Sequence, residues 1–171
     1  AAELGLLSLP SQKRVISFIG SGGKTTLIYL LARELAAEGF SVIITSTTKM
    51  KLPEPYQAPF IEYTDNNRAT TALLQKQKIT ATGITCPEGK FTLPTDKIKF
   101  LAAADFVLVE ADGSKNLPCK AWADYEPVIP SETNSIIHLA GLTCLNQPLY
   151  LACHRPRLAA AVLNRSLNHI I

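Results

Sequence analysis

Apolar residues in this chain fall into short unbroken runs that alternate with stripes of helical spacing. Arg14-Val15-Ile16-Ser17-Phe18-Ile19 is a run of the kind that is buried on both faces of a sheet. After it, Leu27, Leu30, Leu31 and Leu35 recur at i, i+3, i+4 and i+8, which predicts a helix covering one sheet face. Gly39 stands at the C′ position of that helix, and Ser41 to Thr45 reads as a second buried strand. Strand, helix and strand in so few residues make a βαβ unit, with a right-handed crossover and parallel pairing.

The same reading carries through the rest of the chain. Pro53, Pro55 and Pro59 break up an irregular stretch, followed by a short strand at Phe60–Tyr63 and a helix from Asn67 to Gln77. Residues 79–85 and 90–93 flank Cys86-Pro87-Glu88-Gly89 as a hairpin whose alternation suggests an edge insertion. Pro94-Thr95-Asp96 opens a helix through Ala104, with Thr95 as N-cap. Asp105 to Glu110 is a strand covered on both faces, Ser135 to Leu139 is a further strand after a proline-framed loop, and residues from Arg157 onward read as helical. The expected class is α/β: a single domain over 1–171 with a mostly parallel sheet flanked by helices and a hairpin insertion at 79–93.

The first strand and helix are joined by Gly20-Ser21-Gly22-Gly23-Lys24-Thr25-Thr26. Strand, glycine turn, Gly-Lys-Thr-Thr and helix are the parts of a nucleotide phosphate cradle, as in P-loop NTPases. Amides of the turn can point inward, and the helix N-terminus adds roughly half a positive charge. Lys24 would reach the β- and γ-phosphates, and the Thr25 hydroxyl would be a magnesium ligand. Phe18 stands where the usual pattern has its first glycine, so this loop is shortened, like that of the Mur ligases.

Glu110 and Asp112 end the strand where such folds hold magnesium. At i and i+2 the two carboxylates can share a face. Which acid takes the metal, and whether one of them polarises an attacking water instead, stays open at this level. Asp112-Gly113 is also an ordinary turn pair. Thr45 to Thr48 closes the second strand, and the Thr47 hydroxyl there could touch metal or γ-phosphate or serve as a local cap. Lys115 and Lys120 follow the acids and could neutralise transferring charge, while Lys49 and Lys51 read as solvated. Glu126, in a proline-framed loop, is either a substrate or partner contact or a loop acid.

Composition narrows the picture in a few places. A net charge of +3 with no basic stripe argues against nucleic acid as a partner, and no apolar run approaches the ~20 residues of a membrane span. Ala1-Ala2-Glu3-Leu4 has no secretory character, so cytoplasm is the expected location. Cys86, Cys119, Cys144 and Cys153 are scattered, as buried small apolar residues would be. Cys153-His154 is a soft-ligand pair or a core thiol beside a capping imidazole.

Gly20–Thr26, Thr-Ser-Thr-Thr-Lys-Met (45–50), Val-Glu-Ala-Asp-Gly-Ser-Lys (109–115), Glu-Pro-Val-Ile-Pro (126–130) and His-Arg-Pro (154–156) form an ordered set. That set resembles the YqeC family, accessory proteins of selenium-dependent molybdenum hydroxylases, from about Val15 to Arg157. The resemblance implies a P-loop-type α/β fold and a role in maturing a molybdenum hydroxylase or its cofactor. It also implies a further strand-rich segment beyond Ile171. The function expected is magnesium-dependent binding of ATP or GTP, with hydrolysis. Kinase- or ligase-like transfer to a small acceptor, and a nucleotide-gated module that does not hydrolyse, are the alternatives.

Overall fold

The structure is a computed structural model, and it describes residues 1, 3–6, 14–64, 72, 76–101 and 104–171. The elements in chain order are β1 (Arg14–Gly20), α1 (Lys24–Ala37), β2 (Val42–Ser46), β3 (Met50–Lys51), β4 (Phe60–Glu62) and β5 (Ile79–Cys86). They continue with β6 (Lys90–Thr92), β7 (Phe106–Glu110), β8 (Cys119–Lys120), β9 (Ser135–Leu139), α2 (Leu149–Ala152), β10 (Cys153–His154) and α3 (Pro156–Leu163). Segments of 3₁₀ helix lie at Thr95–Leu101 and Leu142–Cys144. The helix expected over 67–77 falls, apart from 72, 76 and 77, outside the described residues.

The main sheet runs β3-β6-β5-β2-β7-β1-β9, with β4 on β5. All pairings among β4, β5, β2, β7, β1 and β9 are parallel, whereas β6 is antiparallel to both β5 and β3. The fold is therefore α/β with a mixed, mostly parallel sheet. β8 and β10 form a separate two-stranded parallel ladder.

Strand residues alternate between two cores. Ile16, Phe18, Val42, Ile44, Phe106 and Leu108 face α1, while Val15, Ile43, Val107 and Val109 face Leu93, Ile98 and Leu101 around the first 3₁₀ segment. Burial on both sides explains why these strands read as unbroken apolar runs. Each large side chain so enclosed is worth about 1.5–3 kcal/mol relative to exposure.

Helix α1 begins at Lys24, three residues before the expected stripe, and its face is rotated. Ile28, Leu31, Ala32 and Leu35 are buried, whereas Leu30 is half exposed. Leu27 to Ala32 is almost wholly apolar, so two phases fit the same period, and only contact with the sheet selects one. The helix closes with Gly39 N–H on the Ala36 carbonyl and Phe40 N–H on the Leu35 carbonyl, a Schellman ending.

Three other expectations need correction. Segment 79–93 is not an edge insertion: Thr80 to Gly83 are buried between β2 and β4, and only Ile84–Cys86 pair with β6. An eight-residue strand simply outruns the end of β2, and Leu93 N–H then returns to the Ser46 carbonyl. The helix expected over 94–104 is a 3₁₀ segment with Thr95 inside it. The C-terminal helix stops at Leu163, where Asn164 turns left-handed. As expected, Lys49 and Lys51 are exposed. All four cysteines are free thiols, with Cys144 and Cys153 buried.

Candidate functional site

Register places the carboxyl ends of three strands level. Glu110 on β7 lies opposite Phe18 on β1 and opposite Ser46 on β2, so the glycine loop, Thr47 and the Glu110–Asp112 segment emerge side by side. β9 flanks β1 on its other side, with Leu139 opposite Gly20.

The glycines of the loop are used for close approach. Gly20 has φ +92, and a Cβ there would lie 2.1 Å from the Leu139 carbonyl oxygen. Gly22 has φ +85, and its Cβ would meet the Gly141 backbone at 2.4 Å. Ser21 N–H donates to the Leu139 carbonyl at 2.9 Å, which clamps the loop to β9. Left-handed Gly23 caps α1 without a side-chain acceptor, and no acid stands in the first turn. The amides of Gly22, Gly23, Lys24, Thr25 and Thr26 consequently have no hydrogen-bond acceptor among the described residues. Such a run of free donors at a helix start attracts anions.

Lys24 is folded back over this loop and buried, with Nζ donating to the Gly20 carbonyl at 2.5 Å and lying 3.1 Å from Asp112 Oδ1. Asp112 is wholly buried. Its Oδ2 accepts from Gly20 N–H at 2.9 Å and from Trp122 Nε1–H at 2.7 Å, and lies 3.2 Å from Lys120 Nζ. Among the described residues Oδ1 accepts no aligned hydrogen bond, so it meets Lys24 as an ion pair only.

Glu110 plays a different part. Its Oε2 accepts the Thr25 hydroxyl at 2.7 Å. Burial pushes its carboxyl above the usual range and the charge of Asp112 adds to that, while Thr25 and Lys24 pull it back. Tyr29, one turn along α1, keeps a buried hydroxyl without a partner among the described residues. Burial and the Glu110 charge hold that phenol neutral.

The hydroxyls ending β2 tie the strand ends together over long range. Thr45 donates to the Thr82 carbonyl at 2.8 Å, Ser46 to the Glu110 carbonyl at 2.8 Å, and Thr47 to the Val128 carbonyl at 2.6 Å. Lys120 joins the group that Lys24 and Asp112 began, bonding Glu126 at 2.7 Å and the Gly113 carbonyl at 2.6 Å. Arg155 completes it, with a nitrogen 2.7 Å from Glu126. Burial raises the Glu126 carboxyl, but Arg155 and Lys120 outweigh it and hold the group down to about 2. Lys115 stays exposed outside these bonds. It is one of the cations beside His154, whose imidazole is pushed down first by burial and then by Arg155, Lys120 and Lys115.

Two parts of this arrangement have no local signal in the sequence: the Trp122–Asp112 bond and the β8–β10 ladder that carries Lys120 and His154 as register partners. The pattern at 154–156 marks Arg155 without indicating its partner.

The model of the family described as "YqeC protein" matches residues 16–157. This chain belongs to the YqeC family. A relative from Escherichia coli (strain K12), "Uncharacterized protein YqeC", is 35% identical over 148 residues. The aligned part is 80% of this chain and 56% of that relative, so the chain spans little more than half of the relative's length. No solved structure matches. The span matched to YqeC takes in the whole glycine loop, both acids and His154-Arg155.

Proposed function

We propose that this protein binds a magnesium–nucleoside triphosphate, ATP or GTP, at the glycine loop in the manner of P-loop NTPases, and hydrolyses it. The observation that carries the proposal is the run of amides at 22–26 that have no acceptor among the described residues, with the Lys24 ammonium folded back to the Gly20 carbonyl beside them. An anion seated there meets convergent donors, a helix start and a movable cation.

The residues also fit a divalent ion. The Thr25 hydroxyl and Glu110 already share a hydrogen bond, and Glu110 carries a carboxylate that burial disfavours and a cation would stabilise. Thr47, whose N–H bonds the Glu110 carbonyl and whose hydroxyl donates to the Val128 carbonyl, would add only the lone pairs of that hydroxyl. Among the described residues no cluster of three or more His, Cys, Asp or Glu forms a cage. Magnesium would therefore take its remaining ligands from phosphate and water, as this ion commonly does. Bound there, it would neutralise charge on the phosphates.

In hydrolysis a water oxygen bonds to the terminal phosphorus as that phosphorus parts from the bridging oxygen, giving a nucleoside diphosphate, inorganic phosphate and a proton released to solvent. The transition state is loose, so positioning and charge stabilisation matter more than covalent help. The loop amides hold the phosphate oxygens, Lys24 balances the charge that develops, and Asp112 keeps the loop closed through Gly20 N–H. Lys115, exposed and three residues beyond Asp112, would screen a leaving or acceptor anion. The role in hydroxylase maturation rests on the family resemblance and forms the second half of the proposal.

The test is a titration of the protein with ATP, GTP and inorganic triphosphate, with and without magnesium, alongside phosphate release. Saturable binding of all three that magnesium strengthens, with slow turnover of the nucleotides, is expected. Triphosphate that fails to bind would end the reading. For the maturation role, nucleotide-dependent association with a molybdenum hydroxylase is the expected result, and association indifferent to nucleotide would count against it.

A further inference from the structure

Charges alternate in sign outward from the glycine loop: Lys24, Asp112, Lys120, Glu126, Arg155. The successive separations are 3.1, 3.2, 2.7 and 2.7 Å. The side chains of Lys24, Asp112 and Lys120 are 3%, 0% and 1% exposed, so solvent cannot compensate any of them. A buried carboxylate that loses its counter-ion is strongly destabilised. This matters for the proposed cradle, because a phosphate seated on the loop amides competes with Asp112 for Lys24.

We infer that Lys120 is a positioning residue for Lys24, acting through Asp112. When Lys24 moves to the phosphate, Lys120 remains as the cation on Asp112, assisted by Gly20 N–H and Trp122 Nε1–H. Its grip on Glu126 then loosens, and Glu126 is left to Arg155. Each acid starts with two cations and needs only one, so a single lysine can be given up without stranding a charge. This inference rests on the phosphate-binding reading of the loop.

The consequence reaches beyond the loop. Lys120 lies on β8 opposite His154 of β10, and Ala121 N–H and O bind the His154 carbonyl and Arg155. Arg155 itself has φ 66, a left-handed conformation for a non-glycine residue at the start of α3. Occupancy of the loop is thus felt at the β8–β10 ladder and at the start of α3.

Trp122 is the chain's only tryptophan and touches Asp112 directly, which makes it a native reporter. The experiment follows Trp122 fluorescence and binding heat together as magnesium–ATP is added to the full chain. The emission of wild type is expected to change with the calorimetric midpoint. Lys120→Met should weaken binding tenfold or more, Lys120→Arg should stay within threefold of wild type, and Lys120→Met should add less than twofold in a Lys24→Met background. Saturable binding with a silent Trp122, or independent effects of the two lysines, overturns the transfer. If Lys120→Met does not fold, as judged by circular dichroism, wild type and Lys120→Arg decide the matter. Wild type that binds no triphosphate refutes the phosphate cradle itself, a result distinct from either of these.

Discussion

Replacing Lys24 with methionine removes the ammonium and keeps most of the volume of the side chain. Two effects follow, and they separate by magnitude. In the free protein, Lys24 and Asp112 are 3.1 Å apart, which at an effective dielectric of about 20 corresponds to about 5 kcal/mol of attraction before desolvation. Removing one partner of a buried pair costs about 3–5 kcal/mol when the other is left alone. Asp112 is not left alone, because Lys120, Gly20 N–H and Trp122 remain on Oδ2, so about 2–3 kcal/mol is expected. For a chain of this size that lowers Tm by roughly 4–12 °C, within a typical total stability of about 5–15 kcal/mol. Binding should suffer separately. A hydrogen bond to a charged group is worth about 1.5–3 kcal/mol, so triphosphate affinity should fall by roughly 10- to 150-fold. Calorimetry at a temperature where the variant is fully folded reads the second effect alone. A folded Lys24→Met protein that binds triphosphate as wild type does would refute the assignment of the loop.

The other predictions concern the loop glycines and the two acids. Gly22→Ala should cost about 2–5 kcal/mol, since it combines a left-handed backbone with a Cβ 2.4 Å from Gly141, whereas Gly23→Ala, with open space around it, should cost about 1–2 kcal/mol. Equal urea midpoints for the two would show that the packing of the loop on Gly141 is unimportant. Glu110→Gln should raise the Tm of the ligand-free protein at pH 7 and abolish the magnesium dependence of binding. The folded-state carboxyl is raised, so its ionisation is a penalty absent below the ordinary value of 4.5 and growing as pH rises from there; a variant less stable than wild type at pH 7 contradicts this. Glu126 has the opposite sign. Its depressed carboxyl stabilises the fold above pH 4.5, and this is lost as pH falls toward about 2. Glu126→Gln should therefore be less stable than wild type at pH 7 and converge with it near pH 2 in acid-unfolding curves, and a gap that persists there would exclude this origin.

The parts legible in the chain were those governed by local periodicity. Val42 to Ile44 and Phe106 to Val109 announced themselves because both faces of a central parallel strand are dry, and no polar residue interrupts them. Gly20 to Thr26 could be recognised because a left-handed turn before a helix demands glycine at fixed spacing. The phase of α1 could not be read, since its apolar residues fit two faces until the sheet chooses between them. β5 reads as an edge strand because Thr80 and Thr82 are polar, yet both residues are buried, and the Thr82 hydroxyl bonds the Ile61 carbonyl.

By itself, the sequence determined the long strands β1, β2, β7 and β9, the glycine turn and the pair of acids at the end of β7, because each depends on neighbours a few residues away. Tertiary structure alone decided what each acid faces. Glu110 reaches Thr25, 85 positions away in the chain, and Asp112 reaches Gly20 across 92. Parallel pairing of β7 with β1 sets both contacts. The ladder of β8 and β10 likewise joins Lys120 to Arg155 through Glu126, a charge arrangement that exists only once distant segments exclude water together.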